Sequence, residues 1–203
     1  LKPALPAARA MFARGAVTRV VSVIPVLAVG ALFCFEWYSY NLVYVLGNLD
    51  RWQGNELPFA LARTSAFNSF WLLALWSYLR CSLSDPGFVP DEWHAFLSEA
   101  VLPASHHDWQ PGVATMCKKC RRARPERAHH CSICGRCVLR MDHHCPWIGN
   151  CVGFKNHKFF LLMTFYGLLA CALYVLSAWP LLKAVFFGSS GRGAGGAGLS
   201  PRG

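Results

Sequence analysis

The sequence predicts an α-helical integral membrane protein with three transmembrane helices and a cytosolic, two-zinc, cysteine-rich loop domain between the second and third. Three observations lead there. Of 203 residues, 54% are hydrophobic and only 15% charged, against about 25% charged in an ordinary soluble domain. Three apolar stretches approach the roughly 20 residues a helix needs to cross a hydrocarbon core. Seven of the ten cysteines crowd between Cys117 and Cys151.

The first stretch spans residues 20–46 after a basic N-terminus at 1–19. Its uncharged run Val20 to Phe35 is followed by Glu36 and an aromatic cluster of Trp37, Tyr38, Tyr40 and Tyr44, which suits an interface or a lined cavity. A carboxylate inside a span is costly unless it faces protein or water. Glu36 therefore sits near a helix end or lines a functional cavity, and the sequence leaves both open. A short loop at 47–57 leads to the second span at 58–79, rich in Phe, Trp and Leu, with Arg63 and Arg80 placed to snorkel at its ends. The third span, 159–182, carries no charge and lies between Lys158 and Lys183; Pro180 is expected to end or kink it.

Orientation follows from the basic residues, which concentrate on the cytoplasmic side. The N-terminal segment has Lys2, Arg9, Arg14 and Arg19, and the connection from Arg80 to Lys158 has eleven Lys and Arg. Both are expected in the cytosol, leaving the 47–57 loop lumenal. The Gly-rich tail, 183–203, cannot bury enough apolar surface to fold. The net charge of +10 accompanies a greasy composition, so it reads as basic loops of a membrane protein and not as a nucleic-acid-binding tail. The chain opens on Leu1 without a secretory cleavage pattern and is expected to be a fragment of a longer protein.

Residues 80–158 form the cytosolic loop, with its cysteine-rich part at about 115–158. Cytosolic thiols stay reduced, so the array points to metal or catalysis and not to disulfides. It reads Cys117-x2-Cys120-x9-His130-Cys131-x2-Cys134-x2-Cys137-x4-Asp142-His143-His144-Cys145-x5-Cys151. Two tetrahedral zincs take eight Cys or His ligands, whereas seven Cys, His130 and one of His143 and His144 make nine candidates. One is surplus. Spacing alone does not name it, but a thiol beside two imidazoles and a carboxylate is the suspect: at Cys145, His143 could take the thiol proton and Asp142 could orient the imidazole. The alternative is that Cys145 is a redundant ligand or a buried small side chain.

The run Asp142-His143-His144-Cys145-Pro146-Trp147-Ile148-Gly149-Asn150-Cys151-Val152-Gly153 resembles the signature of the DHHC family of membrane protein S-acyltransferases, the palmitoyltransferases. Arg124-Pro125-Glu126-Arg127-Ala128-His129-His130-Cys131 matches the family's RPxRxxHC stretch, Asn156 and Phe160 fit its downstream pattern, and Asp85-Pro86-Gly87 resembles its DPG tripeptide. This resemblance implies interleaved structural zincs, one on Cys117, Cys120, His130 and Cys137, the other on Cys131, Cys134, His144 and Cys151. It implies Cys145 as nucleophile, His143 as base and Asp142 behind it.

The implied reaction moves a long-chain acyl group, typically palmitoyl, from acyl-CoA through an S-acyl Cys145 to cysteines of membrane-associated substrate proteins. Residence in an endomembrane such as ER or Golgi is expected, with the loop facing the cytosol. Lys118, Lys119, Arg121, Arg122, Arg124 and Arg127 form the densest basic run and are candidates to meet CoA phosphates or lipid headgroups. Family members usually have at least four spans and a TTxE motif in the following tail; neither the fourth span nor the motif occurs here. That departure keeps a second expectation open, a truncated or non-catalytic zinc-binding membrane scaffold.

Overall fold

The computed structural model describes residues 23–93, 95 and 115–187. The basic N-terminus, the His106-His107 pair and residues 188–203 lie outside the described residues. Three long helices, α1 (Val23–Val45), α2 (Glu56–Leu83) and α3 (His157–Phe187), carry three small antiparallel hairpins between the second and third. The hairpins pair β1 (Thr115–Cys117) with β2 (Arg122–Arg124), β3 (His129–Cys131) with β4 (Arg136–Val138), and β5 (His143–Cys145) with β6 (Asn150–Val152).

Among the described residues, α1 and α3 are long and apolar enough to cross a membrane. Their outer faces fit that solvent: Phe35, Leu168 and Phe186 are 67%, 69% and 72% exposed, a burden of apolar surface that water does not favour. The second expected span is a 28-residue helix, but Arg63, Thr64, Ser65, Asn68 and Ser69 dilute its apolar run. The dilution has a local cause. Asn68 accepts from Trp37 Nε1 at 3.1 Å and donates to Asn41 Oδ1 at 2.9 Å, so α2 spends its polar residue on α1. Trp71 Nε1 adds a bond to the Phe33 carbonyl at 3.2 Å.

Tyr40, fully buried, stacks on Phe67 with ring centroids 3.7 Å apart and meets Tyr174 edge-on at 5.3 Å. Tyr44 donates to the Ser177 carbonyl at 2.7 Å, and Tyr166 stacks on Phe70. The span aromatics offered as cavity lining thus also tie the three helices together. Glu36 lies inside α1, three residues before a π-helical segment at Ser39–Val45, and accepts from Cys171 Sγ on α3 at 3.3 Å. The polar residue expected at a helix end or cavity is therefore an interhelical partner.

Helices α2 and α3 run past the expected spans: α2 covers Glu56–Leu83 instead of 58–79, so residues 80–83 of the expected loop are helical. α3 runs His157–Phe187 instead of 159–182, so residues 183–187 of the expected tail are helical. Pro180 sits inside that helix without ending it; its φ is helix-compatible, and the apolar run continues on both sides.

Beyond α2, Asp85-Pro86-Gly87 makes the expected turn. Asp85 Oδ1 accepts from the backbone N–H of Gly87 and Phe88 at 2.9 and 3.0 Å, and Gly87 takes φ +101°, open to glycine. The turn is also a clasp: Asp85 Oδ2 holds Lys155 Nζ at 2.8 Å, and Leu139 N–H donates to the Gly87 carbonyl at 2.7 Å. Gly153 packs so closely beneath it that an added Cβ would lie 2.6 Å from both the Pro86 carbonyl oxygen and Val138 Cγ1.

Candidate active site

The hairpins sort the array by strand alternation, because successive side chains on a strand point to opposite faces. In β3, His130 joins one cluster and Cys131 the other. In β5, His144 faces a cluster while His143 and Cys145 share the opposite face.

The first cluster gathers Cys117, Cys120, His130 and Cys137, and the second Cys131, Cys134, His144 and Cys151, with all ligand atoms of each within 4.8 Å of one another. A tetrahedral zinc with Zn–S of about 2.3 Å and Zn–N of about 2.05 Å sets edges of about 3.8 Å between sulfurs and about 3.6 Å from sulfur to nitrogen. The observed edges lie near these values, with sulfur–sulfur edges of 3.8 and 3.4 Å and sulfur–nitrogen edges from 3.1 to 4.0 Å. Cys120 Sγ lies 3.8 Å from Cys137 Sγ and 3.1 Å from His130 Nδ1; His144 Nδ1 lies 3.6, 3.4 and 3.5 Å from the sulfurs of Cys131, Cys134 and Cys151. The donor set and its size fit zinc.

The electrostatics agree. Burial raises the thiols of Cys117 and Cys131, but backbone N–H groups of Cys120 and Lys119, and of Cys134 and Ile133, together with neighbouring thiols, outweigh it and hold both below the usual range. Burial, then hydrogen bonds to the thiols of Cys117 and Cys120 and last their charge, pushes Cys137 up to about 12, and Cys151 is driven up in the same way by Cys134 and Cys131. Three thiolates crowded this closely call for a cation. Burial, then His143, lowers the His144 imidazole and keeps it in the neutral form that binds metal.

Cys145 belongs to neither cluster. It is 6% exposed and lies in a buried group with Tyr78, Cys81, Ile148 and Val152, against Val29 and Phe33 of α1 and Phe159, Phe160 and Met163 of α3. Behind it, Asp142 Oδ2 meets His143 Nδ1 at 3.0 Å, and the His143 ring stands edge-on to Phe160 with centroids 5.4 Å apart. A histidine held through Nδ1 by a carboxylate keeps Nε2 free as a base. Two asparagines hold this hairpin on α2. Asn150 donates to the carbonyls of Cys81, Ser82 and Ser84 at 3.1, 3.2 and 2.8 Å, capping the last turn of the helix. Fully buried Asn156 bridges the Cys81 and Cys151 carbonyls and accepts from Gly153 N–H. Tyr78 OH donates to the Trp147 carbonyl at 3.1 Å.

The six basic candidates do not act as one patch. Arg122 pairs with Asp91 at 3.1 Å, Arg124 donates to Thr115 Oγ1, and Lys118, Lys119 and Arg121 lie exposed on the first hairpin's turn. Of the six, Arg127 lines an open pocket of about 740 Å³ whose wall also holds His129, Arg140, Asp142, Lys158 and Leu161. Arg140 and His129 escaped the sequence reading because their basic neighbours are gathered by folding and not by sequence.

Residues 111–189 match the family described as DHHC palmitoyltransferase. The chain is 34% identical over 186 residues to a protein of Arabidopsis thaliana named probable protein S-acyltransferase 13, covering 85% of this chain and 60% of that one. It is 32% identical over 192 residues to mouse palmitoyltransferase ZDHHC20, covering 81% and 50%. Over 117 residues it is 44% identical to a second Arabidopsis protein, named probable protein S-acyltransferase 12, covering 56% and 40%. The chain thus spans 40–60% of the length of these relatives.

Proposed function

The chain belongs, through its DHHC palmitoyltransferase domain, to the protein S-acyltransferase family, and from that premise we propose that it transfers a long-chain acyl group from acyl-CoA to cysteines of membrane-associated proteins through Cys145. The observation that carries this reading is the division of labour in β5: with eight other Cys and His gathered into two closed ligand sets, Cys145 stays outside both, beside an Asp142–His143 pair.

His143 Nε2 takes the Cys145 proton while Asp142 orients the ring and stabilises its positive form. The thiolate attacks the thioester carbonyl, the CoA sulfur departs as thiol with the proton returned from His143, and the acyl group stays on Cys145. A substrate cysteine then repeats the exchange in reverse. Donor, intermediate and product are all thioesters, so little driving force is needed and positioning does most of the catalysis. Zinc, held by the two ligand sets, would fix the hairpins; with four protein ligands each, neither site leaves a position for substrate.

The acyl tail would run from the buried sulfur between the tops of α1, α2 and α3, where each buried methylene contributes roughly 0.8 kcal/mol. For the CoA phosphates, Arg127, Arg140 and Lys158 around the Asp142 pocket are better placed than the first hairpin's turn. On this reading α2 is a third span, its polar residues absorbed by α1, and the hairpins face the cytosol from an endomembrane. A non-catalytic scaffold is not favoured, since Asp142, His143 and Cys145 are all in place.

Incubating the detergent-purified protein with alkyne-tagged palmitoyl-CoA tests the proposal. A hydroxylamine-sensitive label on wild type that disappears in Cys145→Ser, with bound zinc unchanged, is expected; a label that persists in Cys145→Ser would refute it.

A further inference from the structure

The three hairpins are one unit used three times. Cys117, Cys131 and Cys145 stand fourteen residues apart at the same strand end, paired in register with Arg122, Arg136 and Asn150. Arg121, Gly135 and Gly149 take the same positive φ, 52°, 70° and 62°, at the same place in each turn. In the first two units a Cys-x2-Cys turn supplies two thiols, and the next hairpin completes the site with a cross-strand pair, His130↔Cys137 and then His144↔Cys151. The first hairpin has Met116↔Ala123 at the pair position, because no earlier turn needs completing.

The third unit is where the series ends. Cys145 occupies the position that Cys117 and Cys131 hold as ligands, but the second thiol of the turn, Cys120 and Cys134, is replaced by Ile148. Fourteen residues beyond His144 and Cys151, where a further pair would fall, stand Lys158 and Phe165 on α3. The turns also close differently. The N–H groups of Arg121 and Gly135 donate to the carbonyls of Cys117 and Cys131 at 2.8 and 2.9 Å, and those of Cys120 and Cys134 to the Cys117 and Cys131 sulfurs, whereas Gly149 N–H donates to Pro146. Ile148, 2% exposed, packs with Cys145 into the helix tops.

We infer that Ile148 is the positioning residue that keeps Cys145 a nucleophile and not a metal ligand. By placing a branched hydrocarbon where the fold elsewhere places a thiol, it denies a soft cation the two-sulfur chelate that captures such ions and leaves the Cys145 sulfur uncoordinated. The inference rests on the acyl-transfer reading for its functional meaning, but its metal readout does not.

The test compares wild type, Ile148→Ala and Ile148→Cys, each as the full chain in detergent, exposed to Cd²⁺ and freed of loose ion. Ile148→Ala separates loss of bulk from gain of a thiol. Wild type and Ile148→Ala are expected to retain two metals. Ile148→Cys is expected to bind one more, with increased thiolate-to-cadmium absorption, and to lose at least tenfold in acyl label on Cys145 relative to Ile148→Ala until a mild chelator removes the extra ion. Two metals and an undiminished label in Ile148→Cys would overturn the inference. So would failure of Ile148→Cys to fold with Cd²⁺ where Ile148→Ala folds, because a captured ion would stabilise the turn. Absence of label in wild type would instead count against the acyl-transfer reading and leave the metal comparison standing.

Discussion

On the proposed reading, a one-residue step along β5 turns an imidazole from base to ligand, because successive side chains on a strand point to opposite faces. The two should therefore separate cleanly on mutation. His143→Gln is expected to slow acyl uptake by about 10²–10⁴-fold, the usual worth of a positioned general base, with two zincs still bound; His144→Gln should release metal and lower the melting temperature. A zinc loss in His143→Gln would reverse the assignment, and elemental analysis of the two variants decides it. A second residue-scale prediction concerns Gly153, where an added methyl meets the Pro86 carbonyl and Val138 at 2.6 Å. Both neighbours are held by backbone bonds, so Gly153→Ala is expected to destabilise by about 1–3 kcal/mol, read as a lower thermal midpoint.

At the element scale the hairpins rest on their two Cys and His clusters, which on the proposed reading hold zinc, and on the asparagine bonds to the end of α2. Each is three residues per strand, too short to be stable alone. Chelation should accordingly unfold them while the helices persist, visible as hydrogen exchange rising over 115–152 and not over α2 or α3. The Asp85–Lys155 clasp adds an acid dependence. Burial alone would raise the Asp85 carboxyl, but the bonds from Lys155 and from the Phe88 and Gly87 N–H groups outweigh it and hold it below the usual range. A depressed folded value means a contribution fully present above the unfolded pKa of about 3.9 and lost as pH falls through the folded one. Asp85→Asn should therefore be less stable than wild type at neutral pH, with the difference shrinking in strong acid; a constant difference would show that charge plays no part.

This scale also shows what the sequence could and could not disclose. The ligand candidates and the Asp-Pro-Gly turn were legible because spacing and stereochemistry are local. The repeat was hidden because only Cys117, Cys131 and Cys145 keep their identity through all three units, while the shared turn geometry is carried by Arg121 in one and glycine in the others. Asn150 and Asn156 were unreadable as staples, since the carbonyls they satisfy belong to a helix end about 70 residues earlier in the chain. The partners of α2's polar residues were hidden for a related reason: Asn68 lowers the helix's apolarity in sequence and meets Trp37 and Asn41 of α1 only in space.

Across the whole molecule, the third hairpin seats Cys145 against residues of all three helices, next to the two Cys and His clusters. The pocket beside Asp142 carries Arg127, Arg140 and Lys158, while Cys145 packs among apolar residues of the helices, which on the proposed reading matches a donor whose head is anionic and whose tail is hydrocarbon. The central claim is that Cys145 carries the acyl group while both zinc sites remain filled. Native mass spectrometry of the detergent-solubilised protein after brief exposure to palmitoyl-CoA, with fragmentation to locate the adduct, tests it most directly. The account predicts a single species bearing two zincs and one acyl group on Cys145; an acylated species that has lost a zinc, or an acyl group on any other cysteine, would contradict it.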